Sequence, residues 1–337
     1  MSEPSPLSII ILAAGKGTRM KSDKAKVLHE VFFAPMVHHV LRSVAPLCPA
    51  QTLVIVGHQR EAVSTALTSF EVVMVTQEEQ LGTGHAVAIA EPDIAGSTDT
   101  VMVLCGDTPL IRAETLTAMY ATHLARQADL TVMTTQLDNP TNYGRITTGA
   151  DGAIAGIVEE KDATAEQKTI TEINAGIYCV RRSFLFSALR QVDTDNSQGE
   201  VYLTDIVAIA VRENKTVERY LCRHPQEILG VNSRVELAQA HAELQKLRNE
   251  EVMLQGVTIL SPETVTVAST AQIGKDTLVM NGVQVFGATT VGERCILGQG
   301  ALVTDCILGD NVEIGPYSVL TGCRLAAGTK VPPHSIR

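Results

Sequence analysis

Between Leu7 and about Gly230, short apolar runs rich in β-branched residues alternate with stretches of helical periodicity. "SIIILAAG", "QTLVIVGH", "EVVMVTQ", "TVMVLCGD" and "ADLTVMTTQ" are nearly continuous in apolar character. Such runs predict strands covered on both faces, and therefore a mostly parallel sheet with crossover helices. Ligands of such sheets gather beyond the carboxyl ends of the strands, so the polar tails "AAGKGTR" and "CGDTP" are the places to look for chemistry. From Val231 to Leu254 the pattern predicts one connecting helix, with an apolar stripe at Leu237, Ala240, Leu244 and Leu247 on a charged rod.

After that helix the period changes. Val267, Ile273, Val279, Val285, Val291, Leu297 and Val303 recur every six residues. The count then slips by one, Leu308, Ile314 and Leu320 resume the step, and a further slip leads to Val331. A period of six fits neither a helix nor a flat strand. It predicts a hexapeptide solenoid, a prism of short parallel strands with one apolar residue per side turned inward. A β-sandwich with frequent turns would not keep that register. The expected organisation is an α/β domain over residues 1–230, a connecting helix over 231–254 and a parallel β-helix over 255–337.

The chain has 337 residues, of which 45% are hydrophobic and only 4% aromatic, with no Trp. Its core must therefore rest on Val, Ile, Leu and Ala. A formal net charge of −10 argues against a general nucleic-acid or anionic-membrane surface, although a local cation cluster can still bind a nucleotide. "MSEPSPLSIIILAAG" has no cationic leader region and meets glycine after a short apolar run, which fits neither a signal peptide nor a membrane span. Seven cysteines at irregular spacing, with no C-x-x-C pair, read mostly as small core residues of a reducing cytoplasm.

In the first tail, Gly15 and Gly17 allow a tight turn and a close backbone approach to a ligand. Amide groups at the start of the next helix would face an anion. Arg19 offers a planar fork of donors, and Lys26 a compact positive charge seven residues on.

The composite "LAAGKGTRM" with the lysine of "KVLH" resembles the sugar-phosphate nucleotidyltransferases, and its pattern is most like the bacterial N-acetylglucosamine-1-phosphate uridyltransferases. "QEEQLGTGHA", "CGDTPL", "NYGRI", "IVEEKDA", "EINAGIY", "QGEVYLTD" and "GVNSR" extend the resemblance over almost the whole chain. It implies a Rossmann-like nucleotidyltransferase domain with a mixed, mostly parallel sheet, followed by a left-handed β-helix that assembles a homotrimer. By matching positions it implies that Leu12, Ala13, Ala14 and Gly15 hold the nucleotide through backbone, and that Gln77, Gly82 and Thr83 recognise uracil. Asp107 and Asn232 would hold Mg²⁺, with Cys105 and Gly106 lying beside them. Gly144, Glu159 and Asn174 would line the sugar side, Tyr202 and Thr204 resemble further sugar-pocket residues, and Glu160 and Lys161 read as solvated neighbours. Three positions depart from the family: Ala25 replaces a proline, Cys105 a frequent tyrosine, and Ala175 a threonine or serine.

The implied reaction is uridylyl transfer, in which UTP and N-acetylglucosamine-1-phosphate give UDP-GlcNAc and pyrophosphate, a step toward peptidoglycan and lipopolysaccharide precursors. Lys26 would stabilise the α-phosphate and Arg19 the departing pyrophosphate. Longer bifunctional relatives also acetylate glucosamine-1-phosphate. The basic, histidine-bearing coils of that site have no counterpart in this sequence, so acetyl transfer is not expected. Two alternatives stay open, a nucleotidyltransferase for another sugar-1-phosphate and a non-catalytic nucleotide-binding subunit.

Overall fold

The computed structural model describes residues 5–337, so the first four residues of the N-terminal stretch lie outside it. The chain divides into two compact units. One holds the residues as far as Glu30 and those from Ala34 to Glu236; the other holds Val31–Phe33 and Leu237–Arg337.

In the first unit the main sheet runs in the order Val217–Leu221, Leu130–Gln136, Glu172–Arg181, Thr100–Cys105, Ser5–Leu12, Pro49–Val56, Val73–Thr76. Glu172–Arg181 is antiparallel to both of its neighbours on this path, and the other six strands point the same way. A hairpin, Arg145–Thr148 with Ile154–Val158, is attached to Glu172–Arg181. Successive side chains of the central strands enter opposite apolar clusters. Ile10, Leu53, Ile55, Val101 and Val103 face the helices Thr83–Ala88, Arg182–Leu189 and Asp205–Arg212. Ile9, Ile11, Val54, Met102 and Leu104 face Met36–Val44, Arg60–Ala66 and Ala113–Ala125. Burial on both faces is why these runs lack polar alternation.

In the second unit, strands of two or three residues stack in parallel as three sheets. The inward residues are those of the six-residue step: Val267, Val279, Val285, Val291, Leu297, Val303, Leu308 and Leu320 are all buried. The slips are shortened corners. Gln284 pairs with Leu302, eighteen residues on, whereas Thr290 pairs with Ile307, seventeen on. The corner Gly287–Ala288–Thr289 becomes Asp305–Cys306 in the next coil, and Asp305 Oδ1 accepts a hydrogen bond from Ala288 N (2.9 Å). Gly322–Cys323 repeats the short corner, and Leu325 takes the inward position left open between Leu320 and Val331.

The connecting helix begins at Arg234, not at Val231 as expected. Val231 N donates to Asp107 O (2.9 Å), which holds Val231 in the first unit. Ser233 Oγ accepts from Glu236 N (3.2 Å) and caps the helix. Among the described residues no helix is long and apolar enough to cross a membrane. The cysteines are free, four of the seven being buried.

Candidate functional site

Four adjacent parallel strands end together. Leu12 lies in register with Cys105 on one side and Ile55 on the other, and Val56 with Thr76 beyond. Loops that leave three of these ends, after Leu12, Thr76 and Cys105, border a cavity of about 450 Å³, lined by Leu12–Lys16, Lys26, Gln77, Gly82, Thr83, Cys105 and Asp107 among others. Cross-links between backbones fix the loops. Ala13 N donates to Ile55 O (2.9 Å), Gly106 N to Leu12 O (2.9 Å) and Gln77 N to Val56 O (2.7 Å).

The second glycine of the turn is required by Lys26. Gly17 has φ +61°, and a Cβ there would come 2.6 Å from Lys26 Cβ. A Cβ on Gly15 would meet nothing within 4 Å, which leaves the cavity side of its backbone clear. Lys26 opens a short 3-10 turn, Lys26–Leu28, and its Nζ forms an ion pair with Asp107 Oδ2. The same Nζ donates to Asn232 Oδ1 (3.0 Å). A carboxylate oxygen and an amide oxygen, drawn from positions 107 and 232, thus converge on one cation. Asn232 is not the helix cap, since Ser233 fills that role, and its Nδ2 donates to Gly230 O (3.2 Å).

On one flank, Gln77 is buried and not a solvated loop residue. Its Nε2 donates to Gly82 O (3.2 Å) and to His85 Nδ1 (3.0 Å). Gly82 has φ +112° and sits where a Cβ would come 2.5 Å from Val201 O, so the loop can close against Val201 only with glycine. Thr83 opens the next helix, and its Oγ1 accepts from Leu203 N (3.1 Å).

Gly144, Glu159 and Asn174 are not among the residues that line this cavity; Asn174 N donates to Gly144 O (2.9 Å), and Asn174 Nδ2 donates to Tyr178 Oη (2.7 Å). Thr204 Oγ1 donates to Glu159 Oε1 (3.2 Å). Burial raises the Glu159 carboxyl above the ordinary glutamate range; the Thr204 bond opposes the rise, and Asp205, Asp162 and Glu200 add to it. The Cys105 thiol is pushed up to about 12 by burial and by the Asp107 charge, against Lys26, so it stays protonated and offers no nucleophile. Ala175 packs into an apolar cluster of the core.

Arg19 is exposed on the turn Thr18–Met20 and does not line the cavity. Glu160, expected to be solvated, forms an ion pair (2.6 Å) with Arg145, whose side chain is only 2% exposed. This pair ties the residue after Gly144 to the residue after Glu159. Nothing in the sequence marks it, because an arginine inside "NYGRI" has no periodic reason to be buried. A larger cavity of about 1040 Å³ borders Thr100 and Arg181, at the far end of the same strands. It gathers none of the residues singled out above, and two of its arginines already pair with Asp129 and Glu91.

Residues 9–208 match the family model of the MobA-like NTP transferase domain. The chain is 52% identical, over 98% of both lengths, to the bifunctional protein GlmU of Desulfotalea psychrophila. It is 43% identical to the protein of the same name from an Exiguobacterium species, over 97% of this chain and 72% of that one. A crystal structure of a Bacillus anthracis chain described as a glucose-1-phosphate thymidylyltransferase, in complex with a sucrose, superposes with a TM-score of 0.55. That match has 19% identity and covers 70% of this chain and 94% of the other, and it speaks for the fold alone.

Proposed function

We propose, from the premise that this chain belongs to the family of the bifunctional GlmU proteins and carries its MobA-like NTP transferase domain, that it transfers a uridylyl group from UTP to N-acetylglucosamine-1-phosphate. The products are UDP-GlcNAc and pyrophosphate. The observation that carries the reading is the convergence of Lys26, Asp107 and Asn232 beside the glycine turn that opens the cavity.

The nucleophile is a phosphate oxygen of the sugar phosphate and is already anionic, so the reaction needs no general base. What the protein must supply is alignment for in-line attack on the α-phosphorus and relief of the repulsion between two anions. Lys26 bears on the α-phosphate, and Arg19, exposed on the turn that follows Gly17, takes the departing pyrophosphate. The backbone of Leu12, Ala13, Ala14 and Gly15 lies along the nucleotide. Gln77, fixed by Gly82 and His85, presents its carboxamide oxygen to the uracil edge beside Gly82 and Thr83. Gly144, Glu159 and Asn174 hold the sugar.

Asp107 and Asn232 fit a Mg²⁺ ion. They bring one anionic and one neutral oxygen to a point where Lys26 already shows that a cation is held, and this hard ion commonly takes few protein ligands. When bound, the ion offsets phosphate charge and polarises the phosphorus centre under attack.

Acetyl transfer from acetyl-CoA is not assigned to residues 255–337. Their one histidine, His334, sits at φ +59° and stacks its ring on Tyr317, with centroids 5.6 Å apart. For the prism the role assigned is trimer assembly, and for the protein a cytoplasmic site of action. The test is pyrophosphate release from UTP with N-acetylglucosamine-1-phosphate, with glucose-1-phosphate in parallel, and CoA release from acetyl-CoA with glucosamine-1-phosphate. The expected result is rapid release with the first sugar alone and no CoA. Faster release with glucose-1-phosphate would transfer the assignment to another sugar.

A further inference from the structure

Lys26 follows a loop that is held from outside itself. Asp23 O and Ala25 N, two residues apart, are both bound by one side chain, that of Gln59. Gln59 Oε1 accepts from Ala25 N (2.9 Å) and Gln59 Nε2 donates to Asp23 O. The segment that carries Gln59 also grips the other end of the loop, because His58 N donates to Ala14 O (3.2 Å). Gln59 itself adopts φ +55° and ψ +39°. Left-handed backbone at a residue with a side chain costs about 1–2 kcal/mol, so such a residue persists only where its surroundings enforce it. Here the conformation comes with a carboxamide that bridges two backbone groups of the phosphate-side loop.

Ala25 supplies the second half of the case. Its φ of −52° lies within the range that a proline ring imposes, and the family resemblance puts a proline at this position. A proline would fix the entry to Lys26 by its ring, but it has no N–H to give to Gln59. The chain therefore holds the same backbone shape by an external hydrogen-bonded bridge in place of an internal ring.

The geometry points to Gln59 as the positioning residue for Lys26. It holds Asp23–Ala25 so that the ammonium meets Asp107 and Asn232 at the head of the cavity, and its contribution is to the alignment of the α-phosphate. This rests on the uridylyl-transfer reading for its kinetic consequence, though not for its structural one.

The test uses the full chain in three forms: the natural protein, Gln59→Ala, and Gln59→Ala with Ala25→Pro. Pyrophosphate release and amide hydrogen exchange are measured for each. Gln59→Ala is expected to lower kcat roughly tenfold, leave the KM for the sugar phosphate within about twofold, and speed exchange in residues 21–25. Adding Ala25→Pro is expected to restore kcat to within about threefold of the natural protein, a rescue that a general packing defect would not show. Unchanged exchange in residues 21–25 of Gln59→Ala overturns the bridge. A double variant no faster than the single one overturns the positioning role. If the natural protein releases no pyrophosphate, the uridylyl-transfer reading falls, and the exchange measurement alone decides the bridge.

Discussion

Replacing Lys26 by alanine separates two effects that the geometry sets in opposite directions. In the free protein the ammonium binds Asp107 and Asn232, the two oxygens that suit a divalent ion. In the proposed reaction the same charge serves the α-phosphate. The Lys26 and Asp107 side chains are 16% and 14% exposed, at the wall of an open cavity, so losing their contact costs about 1–2 kcal/mol of stability. For a unit of this size that lowers Tm by roughly 2–8 °C, and the fold survives. The same 1–2 kcal/mol no longer opposes Mg²⁺, so affinity of the free protein for Mg²⁺ is expected to rise about 5- to 30-fold, read by calorimetric titration without nucleotide. Turnover moves the other way. A preorganised charge lost from a phosphoryl site costs on the order of 100- to 1,000-fold, read as pyrophosphate release at saturating substrates and Mg²⁺. Turnover within tenfold of the natural protein would refute the role of Lys26. Magnesium affinity that is unchanged or weaker would refute the shared cradle, whatever turnover does.

What the sequence disclosed follows from what a period can encode. The prism was legible because each coil repeats the same inward demand, and Val267 through Val303 answer it at fixed steps. The short corners were visible as slips, but not their means: Asp305 supplies a side-chain acceptor in the shortened coil, and Leu325 fills a place the count had skipped. The cavity was legible because its residues leave the carboxyl ends of adjacent strands, where Leu12 and Cys105 fall in register. Side-chain contacts across long separations carry no such signal. Arg145 with Glu160, and Gln59 with Ala25, bridge 15 and 34 residues, and neither pair breaks a local pattern. The sequence likewise could not say that Ser233, not its neighbour Asn232, caps the connecting helix, since either residue type can do so.

Two further outcomes concern Glu160 and Glu159, next to and at the position proposed to hold the sugar. Glu160→Gln leaves the Arg145 guanidinium, 2% exposed, without its counter-charge, and it is expected to cost about 2–3 kcal/mol, discounted because Glu160 is 26% exposed. Calorimetry should show a lower Tm and kinetics a raised KM for the sugar phosphate; an unchanged Tm would mean that the pair braces nothing. Glu159 gives the pH dependence its sign. Its folded-state pKa is raised, chiefly by burial, so the folded chain holds this proton more tightly than the unfolded one. Its contribution to stability is therefore fully present below the ordinary glutamate range and is lost as pH rises through the raised value. With Glu159 in its proposed role as acceptor for sugar hydroxyls, sugar binding moves the opposite way and improves over the same interval. The acid limb of kcat/KM for the sugar phosphate is thus expected to lie above the ordinary glutamate range. Glu159→Gln should abolish that limb while raising KM about tenfold and sparing stability at neutral pH. A limb that survives the substitution in place would assign the titration to another group and remove Glu159 from the sugar contact.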